Sequence, residues 1–112
     1  MYLNSVNFYE VRPLTNQDYE QVQQLCLQSN KVPFTKDQFA TELGLYPELS
    51  LAVVREGAIV GYVIARHEGG KGAIDQLVIH PRYEDSSVAQ TLLNMCVGKL
   101  TMAGIPRDRI CF

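Results

Sequence analysis

Three apolar runs follow one another within residues 49–80, and their spacing leaves few ways to fold the chain. Leu49 to Arg55 reads LSLAVVR, Ala58 to His67 reads AIVGYVIARH, and Gly72 to His80 reads GAIDQLVIH. Each is rich in branched and aromatic residues, which pack well on a pleated surface. The gaps hold Glu56-Gly57 and Gly69-Gly70, short turn sequences in which glycine supplies the left-handed backbone that a tight hairpin requires. An antiparallel meander is therefore expected. Its third strand carries apolar residues on both faces, as a central strand covered from both sides would. Helices must then lie above and below the sheet.

Those helices are legible on either side of the meander. A short opening strand with Phe8, Val11 and Leu14 is ended by Pro13 and Thr15-Asn16. Tyr19, Val22, Leu25 and Cys26 then recur at helical spacing, with Thr15 and Asp18 in the positions of a capping box, which predicts a helix over 17–29. Thr35 with Gln38 repeats the cap before Phe39 and Leu43, and Gly44 is expected to end this second, shorter helix. After the meander, Ser86 or Ser87 can cap a third helix, and Ser87 with Gln90 fits the capping box. Val88, Leu92, Met95, Cys96, Lys99, Leu100 and Ala103 fall on or beside one face of it, with Met95 and Met102 expected in the core, and Gly104-Ile105-Pro106 closes it. Ile110 and Phe112 begin one more strand, parallel to 72–80 if the connection is the usual crossover. The order β-α-α-β-β-β-α-β is that of a mixed α/β sheet with helices on both faces.

Composition narrows the function classes. At 112 residues the chain is expected to form one domain, since domains run to roughly 100–200 residues. A formal net charge of -2 without any Lys/Arg cluster removes the electrostatic basis for nucleic-acid binding. No apolar run approaches the ~18 residues of a membrane span, and the start MYLNSVNFYEV has no signal-peptide pattern, so a cytoplasmic protein is expected. Cys26, Cys96 and Cys111 are odd in number, widely spaced and without a CxxC or Cys/His pairing, which suits three small core hydrophobes rather than a disulfide framework or a zinc site. No metal site is expected.

The segments VRPLTNQDYEQVQQL, LAVVREGAIVGYVIARHEGGKGAIDQLVIHPRY and SVAQTLLNMCVGKLTMAGI, taken in this order, resemble the GNAT superfamily of acetyl-CoA-dependent N-acetyltransferases. The resemblance covers most of the 112 residues and about the first two-thirds to three-quarters of the family fold, which usually continues with a further helix and two strands. It implies a GNAT-like acyl-CoA N-acyltransferase fold, acetyl-CoA as cofactor, and direct acetyl transfer to an amine on a small molecule or peptide. The family's pyrophosphate loop, Gln/Arg-x-x-Gly-x-Gly/Ala, falls on Glu84, Asp85, Ser86, Ser87, Val88 and Ala89, of which Ala89 alone satisfies it. There, main-chain N–H groups and the helix dipole hold the pyrophosphate. A carboxylate ~6 Å from a phosphate repels it by about 3 kcal/mol at an effective dielectric of ~20 and by under about 1 kcal/mol in bulk water. Glu84 and Asp85 can also accept the very N–H groups a phosphate would use, whereas the Ser86 and Ser87 hydroxyls can donate to one. The loop thus weakens acetyl-CoA binding by one or two decades or abolishes it.

Elsewhere the resemblance places main-chain groups of Leu77, Val78 and Ile79 against the pantetheine and the thioester carbonyl. It puts Asp75 where the family commonly carries the base that neutralises the attacking amine, although a polar residue at an exposed strand end reads the same way. His80, at the same strand end, is a second catalytic candidate because histidine as a residue type suits proton transfer near neutral pH, in a position that the family commonly fills with His without a catalytic role. Tyr83 is expected to pack locally, and Arg107-Asp108-Arg109 to form a solvated turn. A second reading, from a different class, is a degenerate fold that acts as a binding or oligomerisation module, with a homodimer formed through the open edge of the last strand.

Overall fold

The structure of the chain, a computed structural model, describes residues 9–84 and 87–112. Five strands form one sheet: β1 Glu10–Pro13, β2 Leu51–Arg55, β3 Ala58–Glu68, β4 Lys71–Ile79 and β5 Ile110–Cys111, lying side by side in chain order. The first four are antiparallel neighbours, and β5 runs parallel to β4. Glu56 and Gly57 both take positive φ, the backbone of the tight hairpin that joins β2 to β3. Helices α1 Tyr19–Gln28 and α2 Lys36–Leu45 cover one face of the sheet, and α3 Val88–Met102 covers the other. Phe8 of the expected opening strand lies outside the described residues.

The cap of α2 forms as the sequence predicts, whereas the Thr15–Asp18 box closes a 3-10 turn, Asn16–Asp18, that leads into α1. The Thr15 N–H donates to Asp18 Oδ2 at 2.8 Å, and Arg12 grips the same carboxylate through two nitrogens at 2.8 and 3.0 Å. Thr35 and Gln38 cap α2 reciprocally at 3.0 and 3.1 Å. Gly44, expected to end α2, lies inside it, and Tyr46 closes the helix by donating its N–H to the Glu42 carbonyl. A helical glycine costs about 1 kcal/mol against alanine, which the packing of Phe39 and Leu43 outweighs.

Four expectations change once the packing is known. Ser87 holds the position before α3 but caps nothing with its side chain, and Gln90 donates instead to Asn94 one turn on. Ser86 lies outside the described residues. The buried stripe of α3 is Val88, Leu92, Cys96 and Leu100 with Val97, so Met95 and Met102 face outward at 39% and 88% exposure, and Ala103 is exposed too. Cys26 and Cys96 are core residues, Cys96 with its thiol pushed up to about 11 by burial, but Cys111 is exposed on the short edge strand. Finally, β3 rather than β4 is the fully covered strand, with Ile59 to Ala65 buried throughout. β4 is only half-buried over much of its length because β5 pairs with Gly72 and Ala73 alone.

A candidate site on the free edge of β4

Beyond Ala73 the outer edge of β4 has no strand beside it among the described residues. Its register against β3 decides which groups look outward. The His80 N–H donates to the Val60 carbonyl at 2.8 Å, and since paired residues alternate in an antiparallel ladder, Val78 and Gln76 also turn their main chain toward β3. Leu77 and Ile79 therefore present their N–H and C=O groups to the open side. Lys31 confirms the direction, with its ammonium donating to the Leu77 carbonyl at 3.4 Å. Of the three residues singled out on this strand, Leu77 and Ile79 carry outward main-chain groups, while Val78 is locked into the sheet with its side chain 1% exposed.

The open edge borders a cleft of about 400 Å³ lined by Lys31, Ile74, Asp75, Gln76, Leu77, Leu93 and Phe112. It separates two parallel strands that touch only at their beginnings. A β-bulge widens the local twist here: Gln76 stands opposite Ile64 and Ile74 opposite Ala65, so Asp75 is left unpaired. The bulge turns Asp75 and Gln76 toward the same helical layer. Gln76 accepts from the Tyr62 hydroxyl at 2.7 Å and donates to the Val32 carbonyl at 2.8 Å, tying the end of α1 to the strand. Burial and the neighbouring Cys26 push the Tyr62 hydroxyl well above its ordinary range, so it serves this network as a neutral donor.

Asp75 faces a second cleft, of about 500 Å³, between α2 and the sheet. Phe34, Asp37, Gln38, Thr41, Glu42 and Arg66 line it, and Arg66 Nε lies 3.4 Å from Asp75 Oδ2. Glu42, which sequence reasoning missed, turns toward Asp75 as well. Its carboxyl is raised above the ordinary range by burial and by its hydrogen bond with and repulsion from Asp75, with Arg66 pulling the other way. Among the described residues, Asp75 is thus the one that borders both clefts.

The remaining candidates lie at the far end of β4. His80 begins a turn of 3-10 helix, Pro81–Tyr83, and its Nδ1 accepts the Arg82 N–H at 3.1 Å. Its ring meets the Tyr83 ring edge-on at 6.0 Å, while Tyr83 also meets Tyr9 and lies beneath the Arg55 guanidinium. His80 is half-buried in this turn, away from Asp75. Glu84 is exposed, Asp85 lies outside the described residues with Ser86, and Ser87, Val88 and Ala89 open α3. Val88 is buried against β3, where Gly61 leaves room: a Cβ there would stand 3.1 Å from Val88 Cγ1 and 2.9 Å from Ile79 Cδ1. That glycine lets the helix start sit beside the end of β4. Arg107 to Arg109 form an exposed turn, as expected.

A mixed sheet that parts between two parallel strands, with a helix start at the mouth of the gap, defines a recognisable class of α/β protein. The chain belongs to the acetyltransferase (GNAT) family, whose model matches residues 8–107. Among solved structures it is similar to Ard1 from Thermoplasma volcanium, with a TM-score of 0.79 at 15% identity over 87% of this chain and 66% of that one. It is similar to the ribosomal-protein-S18-alanine N-acetyltransferase from Escherichia coli, with a TM-score of 0.75 at 15% identity over 88% of this chain and 63% of that one. A third is the PaiA N-acetyltransferase from Thermoplasma acidophilum in complex with coenzyme A, with a TM-score of 0.74 at 16% identity over 88% of this chain and 75% of that one. The chain thus spans 66% and 63% of the length of the first two. Among the described residues, no helix is long and apolar enough to cross a membrane.

Proposed function

We propose that the chain transfers an acetyl group from acetyl-CoA to a primary amine, on a small molecule or a peptide, by direct attack. The observation that carries this reading is the position of Asp75, at the junction of the strand-edge cleft and the α2 cleft. The residues fit the cofactor's arm: the outward main-chain groups of Leu77 and Ile79 can pair with an amide-bearing chain laid along β4, as an added strand would. The start of α3 at Ser87, Val88 and Ala89 lies where the phosphates would stand, at the positive end of the helix dipole and with no acidic residue in its first turn, against which stands the exposed Glu84. Acetyl-CoA, when bound, supplies an activated acyl group and a good leaving group.

The protein's own part is to hold, orient and deprotonate. An amine entering the α2 cleft reaches Asp75 from the side opposite the strand edge. Asp75 takes its proton, because only the neutral amine is a nucleophile. An outward N–H on β4 polarises the carbonyl under attack, in a fixed orientation that needs no reorganisation during reaction. Val78 holds the strand in register through its bonds to β3, and Gln76 anchors the α1 end over the site.

The test is thiol release from acetyl-CoA with a panel of amines and short peptides. Asp75→Asn should lower kcat by roughly 10²- to 10⁴-fold, the usual contribution of a positioned base, with acetyl-CoA affinity kept. Full activity in that variant would remove Asp75 from the chemistry. A second reading, binding without turnover, is favoured by Glu84 at the helix start; calorimetry that shows no heat with acetyl-CoA would select it.

A further inference from the structure

Lys31 is the cation on the wall of the strand-edge cleft, and the proposed reaction leaves it unused. Its place is built by the end of α1. Asn30 takes the left-handed backbone that closes the helix, with φ at 59°; its N–H donates to the Leu27 carbonyl and the Lys31 N–H to the Cys26 carbonyl, both at 3.1 Å. One residue further on, Gln76 of β4 donates to the Val32 carbonyl at 2.8 Å. The main chain is thus fixed on both sides of Lys31, and its side chain reaches across to the Leu77 carbonyl, 3.4 Å from the ammonium. Among the described residues the ammonium has no carboxylate in ion-pair contact. Its position matters because Leu77 presents one of the outward main-chain groups along which the cofactor's arm is proposed to lie. A flexible four-carbon stem on a fixed base keeps a primary amine beside that edge even when the arm takes the carbonyl from it. Tethering of this kind replaces a second encounter and raises the local concentration of the amine far above that of a free acceptor.

We propose that Lys31 is a site of self-acetylation, an acceptor amine built into the chain. The proposal rests on the placement of acetyl-CoA along β4 in the preceding reading, and not on any free amine. In the step, the Lys31 ammonium gives one proton to solvent, to which the side chain is open. Its nitrogen then forms a C–N bond to the acetyl carbon as the C–S bond breaks, and its surplus proton goes to the departing thiolate sulfur. The products are an amide on Lys31 and free coenzyme A, with no further co-reactant. The positive charge at the Leu77 carbonyl is lost in the exchange. Lys36, Lys71 and Lys99 are internal controls, because none of them borders this cleft, and Lys36 and Lys71 are exposed as Lys31 is. Exposure alone therefore cannot favour Lys31.

The test incubates the intact chain with acetyl-CoA and follows acetylation at each lysine by peptide mass spectrometry. Lys31 should be modified at least about tenfold faster than each control, a small part of what tethering can supply, and at a rate per chain that does not change on dilution. Unfolding in urea should abolish the preference, and Lys31→Arg should remove the fast phase while acetyl-CoA still binds. A readout without transfer comes from coenzyme A alone, which should shift the side-chain NMR signals of labelled Lys31 and leave those of Lys36 and Lys71 in place. Equal rates at Lys31 and the controls, or a rate at Lys31 that scales with protein concentration, overturn the proposal. Acetylation of added amines with Lys31 unmodified overturns it too but retains the acetyl-transfer reading. Fast modification of Lys31 with no transfer to any added amine retains the proposal and removes the free acceptor instead. Neither product removes both.

Discussion

Replacing Gly61 by alanine tests how the start of α3 is seated. The added Cβ would meet Ile79 Cδ1 at 2.9 Å, Val88 Cγ1 at 3.1 Å and Leu92 Cδ1 at 3.4 Å. The first contact involves the far end of a flexible side chain and is relieved by a rotamer shift. The second is not, because Val88 is β-branched, buried and on the first turn of the helix, so its χ1 has little freedom. Overpacking of this kind costs about 1–3 kcal/mol, against which the loss of a glycine from the unfolded chain returns about 0.4–1 kcal/mol. Gly61→Ala should therefore destabilise the protein by about 1 kcal/mol, or about 4–6 °C in Tm for a domain near this size. Gly98→Ala supplies the control, since that glycine lies inside α3 with nothing within 4 Å of its added Cβ. A helical Gly→Ala change without a clash should stabilise by about 1 kcal/mol. Urea denaturation of the two variants beside the parent reads both signs. If Gly61→Ala were as stabilising as Gly98→Ala, α3 would not be seated on β3 through Val88, and the placement of the helix start beside Ile79 would fail with it.

Other expectations follow from the charges. Burial pushes the Asp18 carboxyl up, but the hydrogen bonds from Arg12 and from Thr15, with the Arg12 charge, outweigh it and hold the carboxyl below its ordinary range. Asp18→Asn should cost roughly 2–3 kcal/mol at neutral pH, since bonds to charged groups are the stronger kind. The gap to the parent should close in acid, because stability from a lowered pKa is lost as pH falls through the folded value; denaturation midpoints at neutral and acid pH measure it. Glu84→Arg exchanges a repulsive charge for an attractive one near the start of α3, and calorimetry should show acetyl-CoA bound roughly tenfold more tightly at low salt.

The meander and the caps of α1 and α2 were legible because they depend on neighbours in sequence. Glu56-Gly57 can serve one kind of turn, and Thr35 with Gln38 satisfies a helix start wherever the helix lies. Parts that depend on distant contacts were not. The apolar residues of β4 suggested a strand covered on both sides, yet two of them, Ile74 and Leu77, border the cleft, which periodicity cannot distinguish from a core. Met95 and Met102 fit the apolar pattern of α3 but fall outside the arc that β3 covers. Cys111 looked like a core residue and lies on an edge that pairs over two positions. Asp75 was visible as a carboxylate on a strand, but its bulge was not, and without the bulge Glu42 has no partner to suggest. The one available signal was Glu42 itself, a carboxylate beside the buried Phe39 and Leu43 of a short helix.

The most direct test follows the backbone amides of the labelled chain while coenzyme A is added. An arm laid along the free edge of β4 should shift Leu77 and Ile79 strongly, Val78 less, and the amides of 87–89 at the phosphate end, while His67 and Lys99, which line a separate cleft with Tyr46 and Leu49, stay in place. Shifts centred on His67 and Lys99, or Leu77 and Ile79 unmoved at saturating coenzyme A, would contradict the assignment of the cleft.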